Sequence, residues 1–199
     1  MKEKGFTLIE LLIVLALIAI LAAILIVIVN PGQIFIRARD TQRQGDLRNL
    51  STAVDTLLAE ISINNLNVDW PERGNCSSTS PGDIFFSVVP PSSTTPPSGW
   101  PSLPAGANAT GTLSIDVNGN GWVPLNFSAA STLNLSSLPV DPRNNTSVGG
   151  FTFAYSFACT TNYGYEFAAR LEGNTTLMQN DGGNQANLYE VGPDKNKLY

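Results

Sequence analysis

The chain has 199 residues, 43% of them hydrophobic and 14% charged, with a net charge of -5 and no histidine. That length suits one modest domain plus an appended segment, and the missing histidine removes the usual general base near neutral pH, the Ser-His and Cys-His nucleophile systems and the commonest zinc ligand. The only lysines are Lys2, Lys4, Lys195 and Lys197, so no basic surface spans the centre of the chain and bulk nucleic-acid binding is not expected.

From Leu11 to Val29 run nineteen consecutive residues drawn only from Leu, Ile, Val and Ala. As a helix they extend about 28 Å, close to a ~30 Å hydrocarbon core. Fifteen of them are Leu, Ile or Val, with a summed insertion energy on the order of -5 to -9 kcal/mol. The segment reads as a membrane span. It is too long for the apolar part of a secretory signal and leads directly into more helix-forming sequence, so it is expected to stay in the mature protein.

Just before it stand Lys2-Glu3-Lys4 and then Gly5-Phe6-Thr7-Leu8-Ile9-Glu10. These residues resemble the class III signal of the type IV pilin and type II secretion pseudopilin superfamily. The resemblance implies cleavage by a prepilin peptidase between Gly5 and Phe6, methylation of the new amino terminus at Phe6, and pairing of Glu10 with the terminal amine of a neighbouring subunit. Glu10 is notable on physical grounds too, because a carboxylate among apolar residues at membrane depth is costly and is usually kept for a partner. The plain alternative is a carboxylate that reaches the headgroups and does nothing.

Arg37, Arg39, Arg43 and Arg48 follow the span, against Lys2 and Lys4 before it. Counted alone, they place the carboxyl-terminal part in the cytoplasm. The leader resemblance and the cysteines argue for the opposite orientation, with Asp40 and Asp46 available to pair with the arginines across helical turns.

Asn30-Pro31 predicts a kink or break, with Asn30 as N-cap and Pro31 at the first helical position. Beyond it Leu47, Leu50, Val54, Leu57, Leu58 and Ile61 recur at three- and four-residue steps, one apolar face of an amphipathic helix that needs a sheet to cover it. The helix from Phe6 to about Ser62 is then interrupted and roughly 85 Å long.

Residues 63–110 are rich in Pro, Ser, Thr and Gly and read as a surface loop region. Cys76 lies here, 83 positions before Cys159, a spacing unlike any metal knuckle or redox pair. One disulfide is the natural pairing in an oxidising compartment, contributing roughly 4 kcal/mol in the chain-entropy model. The other reading is two unpaired buried cysteines.

Leu113–Val117 and Trp122–Phe127, joined by Asn118-Gly119-Asn120-Gly121, read as a hairpin. Phe151, Phe153, Tyr155, Phe157 and Cys159 share one alternation phase, which Tyr163, Tyr165, Phe167, Ala169 and Leu171 continue after a turn. This aromatic stripe is expected to be the core face, packed on Leu50, Val54, Leu57 and Ile61 rather than offered to a ligand. Leu188–Val191 adds a short last strand.

Asp116-x-Asn118-x-Asn120-Gly121 matches the first half of an EF-hand calcium loop, but Phe127 occupies the bidentate glutamate position and a hairpin turn is the better account. Asp141, in Leu138-Pro139-Val140-Asp141-Pro142, and Asp181, in Asp181-Gly182-Gly183, resemble the region where major pseudopilins bind calcium. Turns explain both segments without metal.

The expected fold is α+β and pilin-like: a long amino-terminal helix, its apolar half transmembrane, packed on a small antiparallel sheet of three to five strands. The divisions are a leader at 1–5, a transmembrane and filament-core helix at 6–29, an amphipathic helix at 30–62, loops at 63–110, and sheet with terminal loops at 111–199. The expected role is structural rather than enzymatic, since no feature brings two acids such as Glu166 and Glu172 together. It is a subunit of a type IV pilus or pilus-like filament, polymerised from the inner membrane with its head extracytoplasmic. The resemblance implies as partners a prepilin peptidase, an assembly ATPase, an inner-membrane platform protein, copies of itself and sister pilins. The alternatives are a pseudopilin of a type II secretion or competence system and a membrane-anchored binding or adhesin module that does not polymerise.

Overall fold

The computed structural model describes residues 5–64, 83–159 and 164–195. Helix α1 spans Leu8–Val29 and α2 spans Pro31–Asn64. Between them Asn30 takes a left-handed conformation, φ 41° and ψ 78°, and closes α1 as its C-cap. The residue before a proline is pushed out of the α region, and the proline itself loses nothing at a first helical position, where its amide would be an orphan. The break therefore falls where the sequence placed it. The Gln33 N–H donates to the Asn30 carbonyl at 3.0 Å.

Among the described residues seven strands follow: β1 (Ile84–Phe86), β2 (Ala109–Gly111), β3 (Ser147–Val148), β4 (Phe151–Thr152), β5 (Tyr155–Cys159), β6 (Tyr165–Ala169) and β7 (Tyr189–Val191), with a short α3 (Thr175–Gln179) before the last. The main sheet has the order β2-β1-β5-β6-β7, and β3-β4 form a separate pair. The β5–β6 ladder sets Tyr155 opposite Ala169, Phe157 opposite Phe167 and Cys159 opposite Tyr165. All pairings in the main sheet are antiparallel except β1–β2, which is parallel. The architecture is thus α+β, a long apolar amino-terminal helix with a small and mostly antiparallel sheet, consistent with a pilin-like fold.

The aromatic stripe is core. Leu47, Leu50, Ala53, Val54 and Leu57 of α2 bury against Tyr155, Phe157, Cys159, Tyr165, Phe167, Ala169 and Leu171. Phe157 and Phe167 meet at 4.9 Å between ring centroids, inside the range for favourable aromatic pairs. Polar hooks fix the register of the helix on the sheet. The Tyr155 hydroxyl donates to Asp46 at 2.8 Å and the Tyr165 hydroxyl to Asp55 at 2.6 Å. Asp46 therefore serves a tyrosine, not the arginine expected of it. Tyr163 lies outside the described residues, as do 65–82 within the expected loop region.

Two expectations need correction. First, 63–110 is more than surface loop, for it supplies β1 and β2. Ile84-Phe85-Phe86 is buried at every position, so it has no alternation to betray it, and Ala109-Thr110-Gly111 is a strand only through its pairing. Gly111 is required there because a Cβ would overlap the Val88 carbonyl. The same stretch lays Trp100 on the face of the sheet turned away from α2, in a second cluster with Ile84, Phe86, Phe151, Ala158, Ala168 and Leu188. The Trp100 indole donates to the Thr152 carbonyl at 2.9 Å. Both faces of the sheet are thereby covered, and Phe151 belongs to this outer cluster rather than to the inner stripe.

Second, residues 113–127 make no strand pair. One isolated bridge joins Asn118 and Asn126, with single bonds from Trp122 N to Ser114 O at 3.0 Å and Phe127 N to Val117 O at 2.8 Å. Pro124 cannot donate to a ladder, and Trp122, Val123, Leu125 and Phe127 all bury in the inner core, which an alternating strand does not allow.

Near its far end α2 is held by one exposed carboxylate. Glu60 accepts from Ser131 N and Oγ, both at 2.7 Å, and from Thr132 N at 3.3 Å and Oγ1 at 2.8 Å. Led by the Ser131 hydroxyl, these bonds draw the Glu60 carboxyl down to about 2. Glu60→Ala is expected to speed hydrogen exchange at the Ser131 and Thr132 amides while leaving Phe157 protected. Equal exchange at all three sites in variant and parent would show that the carboxylate does not fasten this loop.

Candidate functional site at the amino terminus and the arginine clasp

Gly5, Phe6 and Thr7 precede the first helical turn and are exposed; nothing lies within 4 Å of the position a Cβ on Gly5 would take. Thr7 is the N-cap of α1. The Glu10 N–H donates to Thr7 Oγ1 at 3.3 Å, and Glu10 Oε2 accepts from Thr7 N at 2.9 Å and from Thr7 Oγ1 at 2.7 Å. This is a capping box, which satisfies two of the amides that a helix start leaves bare. The T-x-x-E spacing carries that signal in the sequence. Among the described residues Leu8–Ile26 is the one helix long and apolar enough to cross a bilayer, and none of it is buried. It shows no polar face, the pattern of a helix surrounded by lipid or by other helices.

The head grips the rod just past the break. Arg43 is fully buried and its guanidinium makes a forked pair with Asp141, Nε to Oδ2 at 2.6 Å and Nη2 to Oδ1 at 2.9 Å. Its Nη1 reaches Asp40 at 2.9 Å and Glu172 at 2.8 Å. Arg39 forks onto Glu172 at 2.6 and 2.7 Å, and Arg143 adds a contact at 3.1 Å. Asp40 in turn accepts from the amides of Glu172, Gly173 and Asn174 at 2.7, 2.8 and 3.2 Å, while the Phe153 ring lies 4.8 Å from the Arg43 guanidinium carbon. Three arginines meet three carboxylates, so the charges close on themselves. Burial works to lower the affinity of Arg43 for its proton, but the bonds and charge of Asp141 and Glu172 outweigh it and hold the cation.

With this geometry in view, comparison with known proteins adds one decisive match: residues 1–26 fit the family model of the prokaryotic N-terminal methylation motif. The chain opens with a prepilin-type signal. No curated protein and no solved structure matches it. The prepilin-type signal covers Gly5, Phe6, Glu10 and most of α1, and it implies processing by a prepilin peptidase and membrane association of an apolar helix long enough to cross a bilayer.

The remaining expected site residues are scattered. Asp141 has a wholly buried side chain that is paired with Arg43. Asn118 Oδ1 accepts from Asn120 N at 3.1 Å in a tight turn, and Asp116 is exposed beside it. Asp181 uses Oδ1 on Gly183 N at 2.8 Å and Oδ2 on Glu190 N at 2.7 Å. Among the described residues no three His, Cys, Asp or Glu side chains form a group able to hold a metal. Cys159 is buried on β5 in the inner core, and Cys76 lies outside the described residues. Asp40, Arg43 and Glu172 as a cluster escaped sequence reasoning, since Arg43 and Glu172 stand 129 positions apart and Arg43 and Asp141 stand 98 apart.

Proposed function

We propose that this prepilin-like precursor is cleaved between Gly5 and Phe6, methylated at Phe6 and polymerised through α1 into a type IV pilus or pilus-like filament, acting as a structural subunit and not as an enzyme. The observation that carries this reading is an uncovered α1, apolar throughout except for Glu10, most of which lies inside the methylation motif. Lipid and the interior of a helix bundle offer it similar surroundings, so it can pass from one to the other with its apolar surface always covered.

The head is extracytoplasmic in this proposal. Arg39 and Arg43, which count against that orientation, are spoken for by the clasp, so folding accounts for their presence and they need not be read as topology signals. An oxidising outer compartment also suits a Cys76–Cys159 disulfide. The machinery implied is a peptidase, an assembly ATPase and a platform protein in the inner membrane, with copies of this chain or sister pilins as filament neighbours.

Co-expression with a prepilin peptidase, followed by intact-mass and peptide mass spectrometry, is expected to yield a chain that begins at methylated Phe6. Recovery of the full leader under those conditions would leave only a plain membrane anchor carrying a binding head.

A further inference from the structure

Glu166 and Glu190 are two carboxyl groups that the filament reading leaves unused. On β6 and β7 Ala168 pairs with Glu190. Glu166 is two residues from Ala168 on the same face, so it is the diagonal neighbour of Glu190. That face is the outer one, which the Trp100 layer covers, and Glu166 and Glu190 are 2% and 1% exposed. Neither oxygen of Glu166 and not Oε1 of Glu190 finds a donor among the described residues. Glu190 Oε2 accepts from Gln185 N at 2.9 Å.

The charged surroundings offer little relief. Asp181 adds a third carboxylate, Lys195 places its ammonium on the Asp181 carbonyl at 2.7 Å, and Asp194 follows on the same segment, its N–H donating to Tyr165 O at 3.4 Å. Two adjacent buried carboxylates with three bare oxygens are too costly to stay doubly ionised. One proton resolves the arrangement. It gives Glu166 a donor, gives Glu190 Oε1 a partner, and leaves Glu190 as the anion already held by Gln185.

We propose that Glu166 and Glu190 share a single proton in the folded protein, Glu166 donating to Glu190 Oε1, so that the head is a proton-linked fold that loosens as its surroundings become alkaline. Burial above all, then the bond to Glu190 and the charges of Glu190 and Asp181, drive Glu166 far above the usual carboxyl range, with Lys195 opposing. An acid whose folded pKa is raised keeps a proton that the unfolded chain releases above about 4.3. The folded state then binds more protons, and stability falls as pH rises from there.

The test is chemical denaturation of the full-length chain in detergent micelles from about pH 5.5 to about pH 8.5, with infrared spectroscopy of the same samples. The parent's unfolding constant is expected to rise up to about tenfold per pH unit, the slope of one proton. Glu166→Gln, which keeps a donor for Glu190, is expected to lose that slope and to match or exceed the parent at the alkaline end. A protonated-carboxyl band at neutral pH should be present in the parent and missing from the variant. Equal slopes, or a parent without the band, overturn the proposal. Stabilisation of the parent by added calcium at alkaline pH, lost in Glu166→Gln and accompanied by no band, replaces the shared proton with a bound cation and equally overturns it.

Discussion

Arg43→Ala is expected to remove about 3–5 kcal/mol of folding stability, because it strands buried carboxylates that no other group can neutralise. Asp141 and Asp40 have side chains 0% and 5% exposed, so neither can turn to water. Arg43→Lys keeps the charge without the planar fork and should recover only part of the loss. Arg39→Ala should cost much less, since the Arg39 side chain is 29% exposed and a solvated pair contributes little. Urea denaturation of the full-length chain in micelles measures all three, and a loss below about 1 kcal/mol for Arg43→Ala would show that the network merely accompanies the fold. The acid limb carries the same signature. Burial works to raise the Glu172 carboxyl, but Arg39 and Arg43 overcome it and hold the group down at about 2. Its contribution is therefore complete above the ordinary carboxyl range and is lost as pH falls toward that value.

Glu10→Ala is expected to leave membrane insertion intact and to reduce filament number by roughly tenfold or more, the scale set by loss of one charge-assisted contact per subunit. Glu10 also closes the capping box with Thr7, so a control must separate helix start from charge. Thr7→Ala opens the box and keeps the carboxylate, whereas Glu10→Gln keeps a carbonyl acceptor for Thr7 and removes the charge. If charge is what assembly uses, Glu10→Gln fails with Glu10→Ala and Thr7→Ala does better than both. Counting filaments by electron microscopy beside an immunoblot of the membrane fraction reads the two effects separately. Normal filament numbers in Glu10→Ala remove the role assigned to the carboxylate.

What could be read from the sequence was set by how local its cause is. The α1 span, the break at Asn30-Pro31, the α2 face at Leu47, Leu50, Val54 and Leu57, and the Tyr155–Cys159 and Tyr165–Ala169 pairing each follow from periodicity or turn chemistry within a few residues. The capping box of Thr7 and Glu10 is equally local, since the T-x-x-E spacing alone carries it. β1 and β2 were illegible for a different reason. A three-residue strand buried on every side has no period to detect, and it exists only because Phe86 finds Ser156 and Gly111 far along the chain. The clasp and the Glu166–Glu190 pair lie deeper still. Glu166 alternates with inward-facing Tyr165 and Phe167, the pattern of a solvent-facing position, yet it is 2% exposed on the outer face of the sheet.

The position of the clasp decides how force would travel. Asp40 and Arg43 sit in the third and fourth turns of α2, so the head is bolted to the rod shortly after the end of the apolar helix α1, while Leu47 to Leu57 hold it by apolar surface further along. A pull along the axis meets the ionic bolt first and in shear, with the apolar contacts behind it. The molecule is built as a handle mounted on a shaft, and the break in that shaft, at Asn30, lies on the amino-terminal side of the mount.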